Sequence, residues 1–333
     1  MKHWSEFCIC FLLLLFGINA IGNEPENFIP GQSPVVMRVD AQRFLSLPAV
    51  SRICEQDENA RKVNRDIENI RRFLNIDPKD FLSGDVWCAM VGKEPDQVVF
   101  LIKTKMPESD FARIYNMGSQ YRSNDVNLSK SRIAEQLIYI ASPKKDNPTE
   151  VADDAVAFSY LDTDVIVCGA LKNFSGQLFE LCRQGGKNPL LAQIDRKALL
   201  AVQADLSRLQ GVQDMAQINQ LNGALDLTGT ENQDLLIQLK LDCANKEVVQ
   251  QLSMQLQFLA PSLIGMIFGR DENLAMAMAS ALKVQPQDKA LSMIYRINLK
   301  TVEKAVAYLA DPANRSGLTE DQDAGLDRSQ SAK

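Results

Sequence analysis

The chain has 333 residues, a single histidine, and 42 acidic against 36 basic residues, for a net charge of −6. That balance supplies none of the basic surface on which nucleic-acid recognition depends, so no nucleic-acid partner is expected. With 46% hydrophobic and 23% charged residues, the composition is that of a globular chain long enough for one large domain or two ordinary ones.

The N-terminus follows the pattern of an export signal. Lys2 supplies a positive end, residues 7–18 (FCICFLLLLFGI) an apolar run, and Ala20 and Gly22 the small residues before a cleavage point. The run is shorter than the about 20 residues that cross a bilayer. The expectation is a cleaved signal peptide over residues 1–22, a secreted or periplasmic protein, and no stable membrane span after cleavage. Cleavage would leave Cys54, Cys88, Cys168, Cys182 and Cys243, an odd set at irregular spacings with no CxxC. Such a set defines neither a disulfide framework nor a thiolate metal site. Cys88 and Cys168 lie in apolar strand patterns, where cysteine serves as a small buried hydrophobe.

Residues 23–33 read as a polar entry segment without periodicity, so the fold is expected to begin at Pro34. Val35, Met37 and Val39 alternate with Val36 and Arg38 as in a strand, and Asp40 is placed to cap a short helix with Phe44 and Leu45. Val63, Ile67, Ile70 and Leu74 predict a helix over 60–74, and residues 77–82 a further helical turn. Strands follow at 86–91 and 97–103, then a helix at 107–117 and a polar loop over 119–131. Strands return at 135–141, 155–160 and 164–169, the last two joined by Asp162 and Thr163, before a helix at 171–182 that Gly185 and Gly186 end.

The same grammar then restarts. Residues 35–45 (VVMRVDAQRFL) can be laid on 200–210 (LAVQADLSRLQ), matching Asp40 to Asp205 and Arg43 to Arg208. The strand pair at 84–103 corresponds to one at 223–240, whose turn is Glu231, Asn232 and Gln233, and residues 164–181 correspond to 292–309. After the second pair comes a long helix, with Val248, Leu252, Gln255 and Leu259 on one side and Val249, Leu256 and Leu263 widening the apolar stripe. The fold class expected is therefore α+β, in two related halves over 34–190 and 191–310. Each half would be a largely antiparallel sheet with helices on one face and a wet second face, and the tail 311–333 reads as disordered.

Little chemistry can be nominated. His3 would leave with the signal peptide, which removes Ser-His-Asp and Cys-His catalysis and histidine-bound zinc. Ser142 with Lys145 and Ser280 with Lys283 have the SxxK spacing, but neither begins a helix. Asp162 with Asp164, and Asp153 with Asp154, read as turn formers rather than metal ligands. Trp87, Phe158, Tyr160, Tyr295 and Phe258, and the methionines Met254, Met266, Met276, Met278 and Met293, read as core.

No catalytic, cofactor or metal residue is assigned, and the expectation is a non-catalytic binding protein with no cofactor, whose partner is a protein or a small apolar ligand. One alternative is a carrier holding an apolar ligand between sheet and helices, with residues 252–268 as its lid. A second is a carboxylate-dependent hydrolase.

Overall fold

Apolar alternation becomes antiparallel sheet in both parts of the chain. The computed structural model describes residues 24–47, 68, 71–72, 74–94, 96–120, 126–143, 155–209, 217–228 and 234–310. The expected signal peptide, Cys54, most of the helix expected over 60–74, Lys145, Asp153, Asp154, the turn expected at 231–233 and the tail lie outside the described residues. The chain divides into two units, Met1–Ala216 with Gln220–Asn222, and Gly223–Lys333 with Gln217–Asn219.

The first unit holds β1 (Val35–Val39), α1 (Ala41–Leu45), β2 (Val86–Met90), β3 (Val98–Lys103), α2 (Glu108–Gln120), β4 (Val126–Ile133), β5 (Gln136–Pro143), β6 (Val156–Asp162), β7 (Val165–Ala170), α3 (Gly176–Arg183) and β8 (Leu200–Asp205). Its strands lie in the order β8-β1-β2-β3-β7-β6-β5-β4, with antiparallel neighbours throughout. Asp40 caps α1 by accepting a hydrogen bond from the Arg43 amide at 3.0 Å, as its position predicts. Strand β8 pairs with β1 in a register centred on Met37 opposite Val202. Matching bonds close the two ends of that ladder, the Asp40 amide to the Leu199 carbonyl at 2.9 Å and the Asp205 amide to the Pro34 carbonyl at 2.7 Å.

The second unit holds β9 (Ile218–Thr228), β10 (Asp234–Cys243), α4 (Lys246–Phe268), α5 (Glu272–Ser280), β11 (Leu282–Gln287), β12 (Ala290–Asn298) and α6 (Leu299–Ala310). Its strand order is β9-β10-β12-β11. On β10 and β12 the apolar partners Leu235 and Ile297, Ile237 and Tyr295, Leu239 and Met293, and Leu241 and Leu291 face each other. Gln238, Lys240 and Arg296, at the intervening positions, are exposed. This is the alternation of a sheet with one wet face.

The first unit departs from that arrangement, because both faces of its central strands are buried. Val86, Ile102, Ile166, Cys168 and Tyr160 pack with Ala41, Leu45, Ile76, Phe81, Leu82 and Met106. Trp87, Leu101 and Val167, which alternate with them, are buried as well. Continuous apolar runs such as VIVCGA in β7 mark strands covered on both sides, and they outweigh the polar positions from which a wet face was expected.

Part of that second cover is the segment read as an unstructured entry. Residues Pro25–Phe28 form a 3-10 turn against β2, β3 and α3. Pro25 and Ile29 are buried, and Glu24 meets the buried Lys103 ammonium at 2.6 Å. The chain passes closely enough that a Cβ on Gly185 would stand 2.7 Å from the Ile29 carbonyl oxygen, which makes glycine necessary there.

A second correction concerns residues 126–131, expected in a loop and found in β4. The β4–β5 turn is Ala134–Glu135, with φ of 47° and 65°. Two consecutive left-handed residues define the turn that suits a tight hairpin, yet neither is the Asn or Gly that would announce it in sequence. Glu135→Gly is expected to stabilise the protein by about 1 kcal/mol, read from urea unfolding, because it removes the left-handed penalty of an L-residue.

Arg38, on β1, is a second buried cation of the first unit. Its guanidinium meets Asp85 with Nε–Oδ2 at 2.6 Å and Nη2–Oδ1 at 2.8 Å, and Nη1 donates to the Ala198 carbonyl at 3.1 Å. Arg38→Ala should cost about 3 kcal/mol in the same unfolding measurement, since it strands a carboxylate and a buried carbonyl.

Candidate functional site

In α4 the local sequence favours helix and leaves one side of it uncovered. Asn245 caps the N-terminus, its side chain accepting from the Val248 amide at 2.9 Å. The Gln, Leu and Met residues that follow are good helix formers. Pro261 lies within the helix and offers no amide to the preceding turn, while the Ser262 hydroxyl donates to the Phe258 carbonyl at 2.8 Å.

The helix packs against α5, β10, β11 and β12. Val248, Val249, Ser253 and Phe268 are buried, and Ile264 and Ile267 join a small core with Leu274, Met278, Ala305 and Tyr308. The Phe268 and Tyr308 ring centroids are 5.5 Å apart, and the Tyr295 hydroxyl donates to the Met278 sulfur at 3.3 Å.

The opposite side carries Met254, Phe258, Leu259, Leu263 and Met266, each between 53% and 75% exposed among the described residues. Met276 of α5 is exposed too. This corrects the expectation that Phe258, Met254, Met266 and Met276 are core, and it reverses the stripe predicted for Leu259 and Leu263. The reason lies in composition: residues 248–269 contain no Asp, Glu, Lys or Arg. A helix that is apolar or neutral all round offers no periodic contrast from which to choose an inner face.

With about 200 Å² for a large exposed side chain, these five expose on the order of 600 Å² of mostly apolar surface. That is the top of the range of roughly 300–600 Å² for the largest patch on a monomer.

The other sequence candidates are not brought together. Trp87 and Tyr160 are buried, Phe158 packs against the same core as Tyr160, and Tyr295 and Met293 are half-buried. Phe81, Phe111, Phe158 and Tyr160 form one aromatic cluster, closed by the Tyr160 hydroxyl donating to the Met106 carbonyl at 2.9 Å. Ser142 ends β5. Ser280 ends α5 with its hydroxyl donating to the Ala277 carbonyl at 3.2 Å, while Lys283 is exposed on β11. Asp162 accepts from the Thr163 amide at 2.7 Å, as a turn former does. Among the described residues no group of three or more His, Cys, Asp or Glu could hold a metal ion, and no helix is long and apolar enough to cross a membrane.

The described cysteines, Cys88, Cys168, Cys182 and Cys243, are free thiols. Cys88 and Cys168 both stand opposite Phe100, one on each side of β3, so two strand spacings, roughly 10 Å, separate them, beyond the reach of a disulfide. Burial pushes the Cys88 and Cys182 thiols up to about 12 and raises Cys168 further, which disfavours the nucleophilic thiolate.

No family model, no curated protein and no solved structure matches the chain.

The buried thiols give a paired prediction. Cys88, Cys168 and Cys182 should resist a thiol reagent at pH 8 in the native protein and react once it is unfolded, as peptide mapping of the labelled sites would record. Because their folded-state values, and that of Tyr139 at about 12, are raised, the folded state holds more protons than the unfolded one in alkali. Stability should therefore be intact below about pH 9 and fall as pH rises toward 12, measured by unfolding midpoints across that window.

Proposed function

We propose that the protein is an exported, non-catalytic binding protein that engages its partner through the outer face of α4. The observation that carries this reading is the run of Met254, Phe258, Leu259, Leu263 and Met266, turned outward on a helix that bears no charge over residues 248–269. An apolar patch at the top of the range found on monomers is often functional. Methionine and leucine side chains on such a face adapt to a partner's contours. Export is supported by Lys2, the apolar run 7–18 and the small residues Ala20 and Gly22. The non-catalytic reading is supported by the loss of His3 with that signal and by the scattered positions of the candidate nucleophiles.

An ancient duplication is part of the same proposal. The strand order β9-β10-β12-β11 in the second unit repeats β2-β3-β7-β6 in the first. The segments 35–45 and 200–210, matched by sequence, are the paired strands β1 and β8 with their flanking turns. Their end bonds, from Asp40 to Leu199 and from Asp205 to Pro34, are equivalent under the same offset in numbering.

Mass spectrometry of the protein purified from the cells that make it, native against denatured, tests the binding reading. The expected result is a non-covalent partner, whether protein or apolar small molecule, present in the wild type and lost in Leu259→Ser with Leu263→Ser. A bare single chain under native conditions, unchanged by the double substitution, would overturn it.

A further inference from the structure

We propose that the occupant of the α4 face is a second copy of this chain, the two α4 helices lying antiparallel across a twofold axis that passes between Phe258 and Leu259. The inference rests on the reading of α4 as a docking face and names what docks there.

Area is the first argument. The on the order of 600 Å² exposed by five side chains, with Gln251, Gln255 and Ser262 between them, approaches the about 800 Å² that each partner contributes to a stable interface. A twofold dimer uses the same patch on both copies, so the patch must be complementary to itself. About this axis Phe258 lies opposite Leu259, Met254 opposite Leu263, and Gln251 opposite Met266.

Charge is the second argument. Each copy carries −6, so copies repel unless they meet where charge is absent, and residues 248–269 are such a place. The charges resume at the two ends of the helix, Lys246 and Glu247 at one and Arg270, Asp271 and Glu272 at the other, all exposed. Antiparallel packing brings the Lys246–Glu247 end of one copy level with the Arg270–Glu272 end of the other. Attraction at both ends fixes the direction and the register of the pair. A bilayer surface is a poorer occupant, because interfacial helices carry Lys or Arg on their polar flank to meet anionic lipid, and residues 248–269 of α4 have neither.

The test is sedimentation velocity on the full-length protein as purified from cells, over concentrations from about 0.1 to about 100 µM. The expected species has the mass of two chains. Phe258→Lys, at a position three-quarters exposed, should leave the far-ultraviolet circular dichroism of the folded chain unchanged and raise the dimer dissociation constant about a hundredfold, since the side chain is central and occurs twice. Lys246→Glu should weaken the dimer roughly tenfold at low salt, and adding Glu272→Lys should restore it.

A single chain at every concentration, or a dimer that Phe258→Lys leaves intact, overturns the proposal. If the wild type is a single chain that holds some other species, and Leu259→Ser with Leu263→Ser releases it, the second copy is refuted while the docking face stands.

Discussion

The side chain on which the first unit most depends is Arg38. It stands on β1, between β2 and β8, and its guanidinium ties Asp85 ahead of β2 and the Ala198 carbonyl ahead of β8 to that strand. A charge in such a place is tolerated only when protein groups replace the water it has lost. The cover over its neighbours Trp87 and Leu101 removes that water, so the pairing with Asp85 is required by the double-sided burial of the sheet. Burial acts on Asp85 in return: desolvation raises its carboxyl above the ordinary range, with the Arg38 hydrogen bond and charge pulling the other way. The ion pair therefore fixes which segments meet more than it adds free energy.

What could be read from sequence follows from how strongly each pattern contrasts with its surroundings. Alternation in VVMRV, in DVIVCGA and in LLIQLKL located β1, β7 and β10, and Asp40 announced its own cap. Strand β4 escaped because VNLSKSRI is half polar and its turn is Ala-Glu, which carries no turn signal although its backbone is left-handed. Residues 23–33 read as a polar lead because burial there falls on single residues, Pro25 and Ile29, that have no period. The double cover of the first sheet was legible only in the unbroken apolar runs, which a search for alternation passes over. In α4 the helix was plain but its orientation was not, since a helix without charges presents nothing that must face water.

On the duplication proposed here, the two units differ most where the candidate site lies. Between β3 and β6 the first unit inserts α2 and the β4–β5 hairpin, and that hairpin gives α2 something to pack on. Tyr115 of α2 donates its hydroxyl to the Ser129 carbonyl and accepts from the Ile140 amide, and its ring lies 5.1 Å from that of Tyr139. Between β10 and β11 the second unit has α4 and α5 and no hairpin. On that proposal α4 has no hairpin of its own to pack on, which would leave an apolar side of it exposed.

The treatment of the sheet edges makes that exposure more informative. Strand β4 ends the strand order of the first unit and β11 that of the second. Strand β4 places Lys130 and Arg132 among exposed neighbours, and β11 carries Lys283 and Pro286. Charged side chains and proline at an edge are the devices by which proteins discourage strand-to-strand association. On the reading proposed here, a chain whose edges are guarded in this way, yet which carries five large apolar side chains on one helix, discriminates between kinds of association. It suppresses the open-ended pairing that a sheet edge invites, and it keeps available a face of limited area and definite ends. If that face were a by-product of weak packing, the charges would have no reason to stop at Glu247 and resume at Arg270. Their arrangement, opposite in sense at the two ends of an uncharged helix, sets the length of the surface and the direction in which a like helix can cover it.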